Sequence, residues 1–119
     1  MPTLDCEFTR KYNLEERKVE SEKIRNKYPD RIPTIVVKAQ SCKLPNLDTN
    51  KFLVPAELTM GHFIYVIRTK VKLGSDQALF IFMNGKIPPS GALLSTIYEK
   101  NKAEDGFLYF TITTESTFG

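Results

Sequence analysis

The chain has 119 residues, of which 41% are hydrophobic and 26% are charged, and its formal net charge is +3. This length and composition predict one globular domain and exclude a chain that is disordered throughout. The longest apolar run, residues 78–83, is far shorter than the about 20 residues of a membrane-spanning helix, and Asp5 and Glu7 interrupt the place of a secretory signal. We therefore expect that only a partner or a covalent lipid attaches the protein stably to a membrane.

The two cysteines, Cys6 and Cys42, have no second thiol or histidine nearby at the spacing of metal ligands. We expect no metal site and a reduced, cytoplasmic protein. Basic side chains are concentrated in residues 31–72, which hold seven basic and two acidic residues. This segment is either a solvated face or a docking surface for acidic partners, and its composition leaves both interpretations open.

The first predicted element is a highly charged helix over residues 14–28, which Pro29 ends. Residues 1–13 before it are expected to be irregular. The apolar positions Val19 and Ile24 are too sparse to form a core, so this helix must lie against one.

Two strands are predicted next. The β-branched run at residues 35–37 indicates the first, and residues 51–54 indicate the second, after a loop at residues 41–50. Pro55 indicates that the second strand is short or lies at a sheet edge.

The central helix begins after Thr59, a plausible N-cap, and carries the clearest helical periodicity in the chain. Its apolar positions are Met60, Phe63, Ile64, Ile67 and Val71. His62 stands where Gln or Glu would complete a capping box with Thr59, so we expect His62 to be an exposed residue of the first turn.

The last part of the chain is predicted to hold two strands, at residues 79–83 and 107–113, with a short helix between them at residues 93–98. Asn84-Gly85 and Asp105-Gly106 are the intervening turns. The order helix, β, β, α, β, short helix, β predicts an α+β fold of the ubiquitin-like β-grasp type, with a mixed four-stranded sheet and an N-terminal helical extension.

The predicted divisions are a helical extension at residues 1–30, a ubiquitin-like domain at 31–113 and a flexible C-terminal conjugation tail at 114–119. The tail ends in Phe118 and Gly119. Because glycine lacks a Cβ, its carboxylate is accessible to adenylation and acyl transfer. A chance ending or an arbitrary cut is the alternative interpretation.

Nine short sequence blocks support the interpretation that the Gly119 carboxylate takes part in acyl transfer. They are ESEKI at 20–24, KYPDRIP at 27–33, KFLVP at 51–55, LTMG at 58–61, FIYVIR at 63–68, PPS at 88–90, IY at 97–98, DGFLY at 105–109 and TFG at 117–119. In this order they resemble the autophagy ubiquitin-like modifiers, the GABARAP-like family.

The resemblance implies that Gly119 is adenylated, passed as a thioester to an activating and then a conjugating enzyme, and joined to the amine of phosphatidylethanolamine. Phe118 and the tail would be gripped by the activating enzyme and by a delipidating cysteine protease. The protein would be a substrate of enzymes rather than an enzyme, without a cofactor. It would be cytoplasmic, and bound to the autophagosome or another organelle membrane when lipidated.

The resemblance also implies docking of cargo receptors through a peptide with an aromatic residue, two variable residues and an aliphatic one. The peptide would add to the second strand as a further strand. The aromatic pocket would comprise Glu20, Ile24, Pro33, Lys51, Leu53 and Phe107. The aliphatic pocket would comprise Phe52, Val54, Pro55, Leu58, Phe63, Val66 and Ile67. Lys51, Arg31, Arg68 and Lys70 would meet acidic residues beside the motif.

Other interpretations are weaker or stay open. On the sequence alone Phe63 and Ile67, on the apolar stripe of the central helix, are interpreted as core residues, and a core residue can also form a pocket floor. Lys51 is also explained as a charge that protects an edge strand from aggregation. Catalysis would need a nucleophile beside a base, and nothing brings Cys42 to His62. Nucleic-acid binding is not expected, because aromatic residues are not interleaved with basic ones. A peptide-binding or cytoskeletal adaptor that is never lipidated remains the alternative.

Overall fold

The computed structural model describes residues 4–39, 50–73 and 77–114. Within them the elements in chain order are α1 Glu7–Lys11, α2 Leu14–Lys27, β1 Arg31–Lys38, β2 Lys51–Pro55, α3 Met60–Val71, β3 Phe80–Phe82, α4 Leu94–Asn101 and β4 Leu108–Thr113.

The strands form one mixed sheet in the order β2-β1-β4-β3. β1 pairs antiparallel with β2 and parallel with β4, and β3 pairs antiparallel with β4. The predicted α+β fold with a mixed four-stranded sheet is therefore confirmed, and β2 lies at an edge, as Pro55 indicated. The division at residues 30 and 113 stays a prediction.

One face of the sheet is covered by α3. Thr59 caps this helix by accepting a hydrogen bond from the His62 amide at 3.2 Å, and His62 is exposed as expected. The periodic positions Met60, Phe63, Ile67 and Val71 are buried in the larger core cluster. Burial of each such side chain contributes about 1.5–3 kcal/mol to stability, so this helix is held mainly by packing.

The other face of the sheet is covered by α1 and α2, and here the prediction was wrong in one respect. Residues 1–13 were expected to be irregular, but Glu7–Lys11 form α1. A helix of five residues is too short to show helical periodicity. α2 begins with a capping box, in which Asn13 and Glu16 each accept a hydrogen bond from the other's amide, at 2.8 and 2.9 Å.

A second, smaller core cluster lies under these two helices. It contains Cys6, Ile24, Ile35, Ala103, Phe107 and Tyr109, with Phe8 packed against it. Of the two apolar positions of α2, Ile24 is buried and Val19 is 49% exposed. The helix therefore lies against a core, as predicted, but only one of the two positions contacts it.

The predicted turns are confirmed, and the strands beside them are shorter than expected. Asn84 and Gly85 have positive φ angles of 54° and 77°, a type I′ pattern. β3 spans Phe80–Phe82 rather than residues 79–83. β4 begins at Leu108 because the Phe107 amide donates to Asp105 Oδ1 at 2.9 Å instead of joining the sheet.

Candidate docking site at the edge of the sheet

The edge strand β2 presents different side chains to the two faces of the sheet. In the β1–β2 register, Thr34 pairs with Phe52 and Ile32 with Val54, and Ile32 and Val54 belong to the core beneath α3. Side chains alternate between the faces of a strand. Lys51 and Leu53 therefore lie on the α2 face, where Lys51 pairs with Ile35 of the smaller cluster.

The residues predicted for the aromatic pocket meet on the α2 face. Phe107 is fully buried, Ile24 and Pro33 are buried, and Leu53 is 37% exposed. Lys51 and Glu20, two further residues predicted for this pocket, form an ion pair that joins β2 to α2, with Lys51 Nζ and Glu20 Oε1 2.8 Å apart. An aromatic side chain entering here would rest on Phe107 and lie against this ion pair.

Most residues predicted for the aliphatic pocket meet on the α3 face. Val54, Phe63 and Ile67 belong to the core, and Phe52 and Leu58 pack against it while half-buried. The Phe52 and Phe63 rings contact each other edge to face, with centroids 6.1 Å apart. Burial shows that Phe63 and Ile67 are core residues, and their role as a pocket floor stays a prediction.

Two predicted members of the aliphatic pocket, Val66 and Pro55, are not part of this core cluster. Val66 is half-buried on α3. Pro55 is exposed and pairs with Arg31, so the strand register places it on the α2 face with Lys51 and Leu53.

The two faces suit a motif whose anchors are three residues apart. Successive side chains of an added strand point to opposite faces, so its first and fourth residues also point to opposite faces. The predicted pockets occupy opposite faces at one edge. A peptide strand added at this edge would thus place an aromatic side chain on one face and an aliphatic one on the other without twisting.

Arg31 covers part of this edge. Its Nη1 donates to the Leu53 carbonyl oxygen at 3.2 Å. Addition of a peptide strand that uses this carbonyl would require the guanidinium group to move. Of the other predicted flanking cations, Arg68 is half-buried and Lys70 exposed, and both lie in the last turn of α3.

Comparison with known proteins identifies the family. The profile of the family described as "Autophagy protein Atg8 ubiquitin like" matches residues 16–119. The chain belongs to the Atg8 family. It is therefore a ubiquitin-like modifier of autophagy, and the predicted resemblance is confirmed.

Relatives match this Atg8 family member over nearly its whole length. Autophagy-related protein 8c of Arabidopsis thaliana is 51% identical over 112 residues, 94% of each chain, and Autophagy-related protein 8B of Oryza sativa is 52% identical with the same coverage. The crystal structure of Trypanosoma brucei ATG8 superposes with a TM-score of 0.89 at 40% identity, over 98% of this chain and 100% of that one. Plasmodium falciparum Atg8, solved in complex with a P. falciparum Atg3 peptide, has a TM-score of 0.85 at 32% identity over 99% and 100%.

A buried polar network that the sequence did not reveal joins α2 to residues 105–107 and to β4 in this Atg8 family member. Asp105 has no exposed side-chain surface, and Arg17 Nε lies 3.1 Å from its Oδ2 in an ion pair that lacks hydrogen-bond geometry. Tyr109 donates its hydroxyl to the same oxygen, and Asp105 Oδ1 accepts from the Phe107 amide. Ser21 Oγ donates to the Asp105 carbonyl oxygen at 2.6 Å.

This network positions two walls of the predicted aromatic pocket at once. Asp105 fixes the backbone of the floor residue Phe107, and through Ser21 and Arg17 it fixes α2, which carries Glu20 and Ile24. Burial, together with the hydrogen bond and charge of Asp105, raises the pKa of the Tyr109 hydroxyl well above its usual range. In the sequence Asp105 looked only like a turn residue, because nothing local indicated a partner on α2.

Three residues named in the sequence analysis cannot be placed relative to this site. Gly119, Phe118 and Cys42 lie outside the described residues. Among residues 4–39, 50–73 and 77–114, no group of acidic, histidine or cysteine side chains is arranged to hold a metal ion. In the same residues no helix has the length and apolar character to cross a membrane.

Proposed function

We propose that this Atg8 family member is conjugated through the Gly119 carboxylate to phosphatidylethanolamine and recruits motif-bearing cargo receptors at the β2 edge. Family membership supports the conjugation, and the pairing of the two predicted pockets on opposite faces of one exposed edge carries the docking. The P. falciparum complex with an Atg3 peptide supports a conjugating enzyme as one partner. The protein contributes a carboxylate and a docking surface and no catalytic groups.

The proposed conjugation begins with an adenylation, which three acyl transfers follow. The carboxylate attacks ATP and releases pyrophosphate, leaving an acyl-adenylate. A cysteine thiolate of the activating enzyme displaces AMP, and the conjugating enzyme takes the acyl group as a second thioester. The lipid amine then displaces that thiolate and loses a proton to give the amide, which the delipidating cysteine protease would hydrolyse. The modified protein would move from the cytoplasm to the autophagosome or another organelle membrane.

Lipidation by purified activating and conjugating enzymes tests this proposal directly. With liposomes that contain phosphatidylethanolamine, the full chain should show a mobility shift that the Gly119 deletion abolishes and that Gly119→Ala slows. Cys6→Ser and Cys42→Ser are matched controls and should shift normally. A shift that persists without Gly119 contradicts conjugation at this residue. No shift of the full chain, together with intact peptide binding, would favour the non-lipidated adaptor.

A further inference from the structure

An apolar groove lies beyond β3, at the edge of the sheet opposite the docking strand β2. Its cavity of about 520 Å³ is lined by residues of the turn after β3 and of α4. Ile97 in its wall is 5% exposed, whereas Ile87 is 60% exposed. The groove therefore joins the apolar interior to a large apolar side chain in solvent, and such a surface indicates a contact site.

Two lysines without ion-pair partners line this groove. Lys86 and Lys100 are both exposed, and no described residue that lines the cavity is acidic. Within residues 4–39, 50–73 and 77–114, neither lysine forms a salt bridge. The groove therefore fits an apolar side chain that has carboxylates on both sides.

The outer face of α2 carries such a group. Ser21 and Ile24 are buried against the sheet. Glu15, Val19 and Glu22 are exposed, and their spacing of four and three residues places them together on the opposite face of the helix. Glu15 and Glu22 are about 10 Å apart along the helix axis. Val19, which is 49% exposed, lies between them.

This outer face is negatively charged, whereas the groove is positively charged. Neither Glu15 nor Glu22 forms a salt bridge with another described residue. With the neighbouring Glu16, Lys18 and Lys23, the outer face holds three glutamates and two lysines, which is a net charge of −1. The groove holds two lysines and no described acidic residue. The two surfaces therefore attract each other and fix the orientation of a contact between them.

The outer face of α2 and the groove of one molecule cannot meet. α2 covers one face of the sheet, whereas Ile97 of the groove belongs to the core cluster beneath α3 on the other face. Only a second copy of the chain can bring the two surfaces together. Because the surfaces differ, the contact is heterologous, and a pair of copies keeps one free groove and one free outer face for further copies.

We propose that the groove beyond β3 binds the outer face of α2 from a second copy of this chain. Val19 enters the groove beside Ile87, and its two flanking glutamates pair with the two lysines. A contact of two helical turns with one groove buries less than the about 800 Å² per partner of stable complexes, so it forms where copies are concentrated. The proposed conjugation to one membrane supplies that concentration, but the contact itself involves neither Gly119 nor the β2 edge.

The test is cross-linking between two full-length variants, Val19→Cys and Ile87→Cys, in a Cys42→Ser background. Cys6, the free cysteine of the described residues, is buried. A C-terminal histidine tag holds the copies on liposomes with a nickel-chelating lipid, so the result does not depend on conjugation. With a short bismaleimide, the mixture should give about fivefold more dimer than either variant alone. Val19→Cys mixed with Tyr65→Cys, at an exposed residue of α3, is the control and should give only the background yield.

Reversal of the charges tests the orientation of the contact. Lys86→Glu with Lys100→Glu in the Ile87→Cys variant should lower the yield of mixed dimer about fivefold, because two attractive pairs become repulsive. Glu15→Lys with Glu22→Lys in the Val19→Cys partner should restore at least about half of that yield. Damage to the fold by the lysine substitutions would not be reversed by changes in the other molecule.

The opposite outcomes overturn the contact. They are equal dimer yields in the mixture, in the single variants and in the Tyr65→Cys control, or no recovery after the second charge reversal. Background cross-linking, together with loss of acidic-peptide binding in the lysine variant, would make the groove a peptide site. Background cross-linking, together with weaker binding of that variant to anionic liposomes, would make it a membrane contact. None of these results bears on lipidation at Gly119, which the mobility shift measures separately.

Discussion

Gly106 lies directly against Ser21, with no room for a side chain between them. A Cβ built on Gly106 would come 2.5 Å from Ser21 Oγ and 3.1 Å from Ser21 Cβ, and the φ angle of Gly106 is +87°. This close approach allows the Ser21 hydroxyl to reach the Asp105 carbonyl oxygen and so brings α2 onto the sheet. Any side chain at residue 106 would push away α2, the helix that carries one wall of the predicted docking site.

Gly106→Ala should therefore destabilise the protein by more than backbone strain alone. Gly85→Ala is the matched control, because Gly85 also has a positive φ, +77°, but open space around it. The left-handed conformation costs about 1–2 kcal/mol in either variant, and the contact with Ser21 should add about 1 kcal/mol or more at Gly106. Urea denaturation of both variants measures the difference. Equal losses of stability in the two variants would show that α2 moves away from the added methyl group at no cost. In a Ser21→Ala background the difference in stability between the two variants should be smaller.

The raised pKa of Tyr109 predicts a loss of stability at alkaline pH. In the folded state this hydroxyl keeps its proton, whereas in the unfolded chain it loses the proton near pH 10. The unfolded state then binds fewer protons than the folded one, so stability present below about pH 10 falls as the pH rises above it. Urea midpoints at about pH 8 and about pH 10.5 should differ less in Tyr109→Phe than in the wild type. Tyr65→Phe, at an exposed tyrosine, is the control and should behave as the wild type.

The contributions of charge and of apolar packing to peptide affinity at β2 should differ in their dependence on salt concentration. Lys51→Glu places a second carboxylate beside Glu20, so an acidic motif peptide should bind more weakly and with a smaller salt effect. Leu53→Ala removes part of an apolar contact, so affinity should fall about fivefold with little change in the salt effect. Calorimetric titration at two salt concentrations distinguishes these results. If both variants bind like the wild type, the peptide docks at another surface.

The N-cap of α3 has one hydrogen bond of a capping box, and a substitution at residue 62 should add the second. Thr59 accepts a hydrogen bond from the His62 amide, and a glutamine at residue 62 would return one from its side chain to the Thr59 amide. His62→Gln should raise stability by about 0.3–1 kcal/mol. His62→Met has similar helix propensity without the acceptor and is the control. A thermal midpoint of the glutamine variant at or below that of the methionine variant would contradict the prediction.

Local sequence patterns predicted the fold well, but they missed the contacts that hold α2 against the sheet. Pro55 indicated the edge position of β2, and the spacing of Met60, Phe63 and Ile67 indicated α3, because each signal depends on a few neighbouring residues. The ion pair of Arg17 with Asp105 and the approach of Ser21 to Gly106 join segments far apart in the chain, so no local pattern reveals them. α1 was missed because one turn of helix leaves no periodicity to detect.

The hydrogen bond from the Arg31 guanidinium to the Leu53 carbonyl oxygen also matters when many copies of the protein lie close together. If conjugation gathers many copies on one membrane, their local concentration far exceeds that in solution, and bare edge strands would then pair with one another. In this protein the Arg31 guanidinium already occupies the Leu53 carbonyl that such pairing would need, whereas Lys51 is paired with Glu20. Edge-to-edge pairing of two copies would have to displace the Arg31 guanidinium of each copy, whereas the acidic flanks of a peptide would offer this guanidinium a carboxylate in exchange. The edge would thus disfavour pairing between copies and favour binding of an acidic peptide.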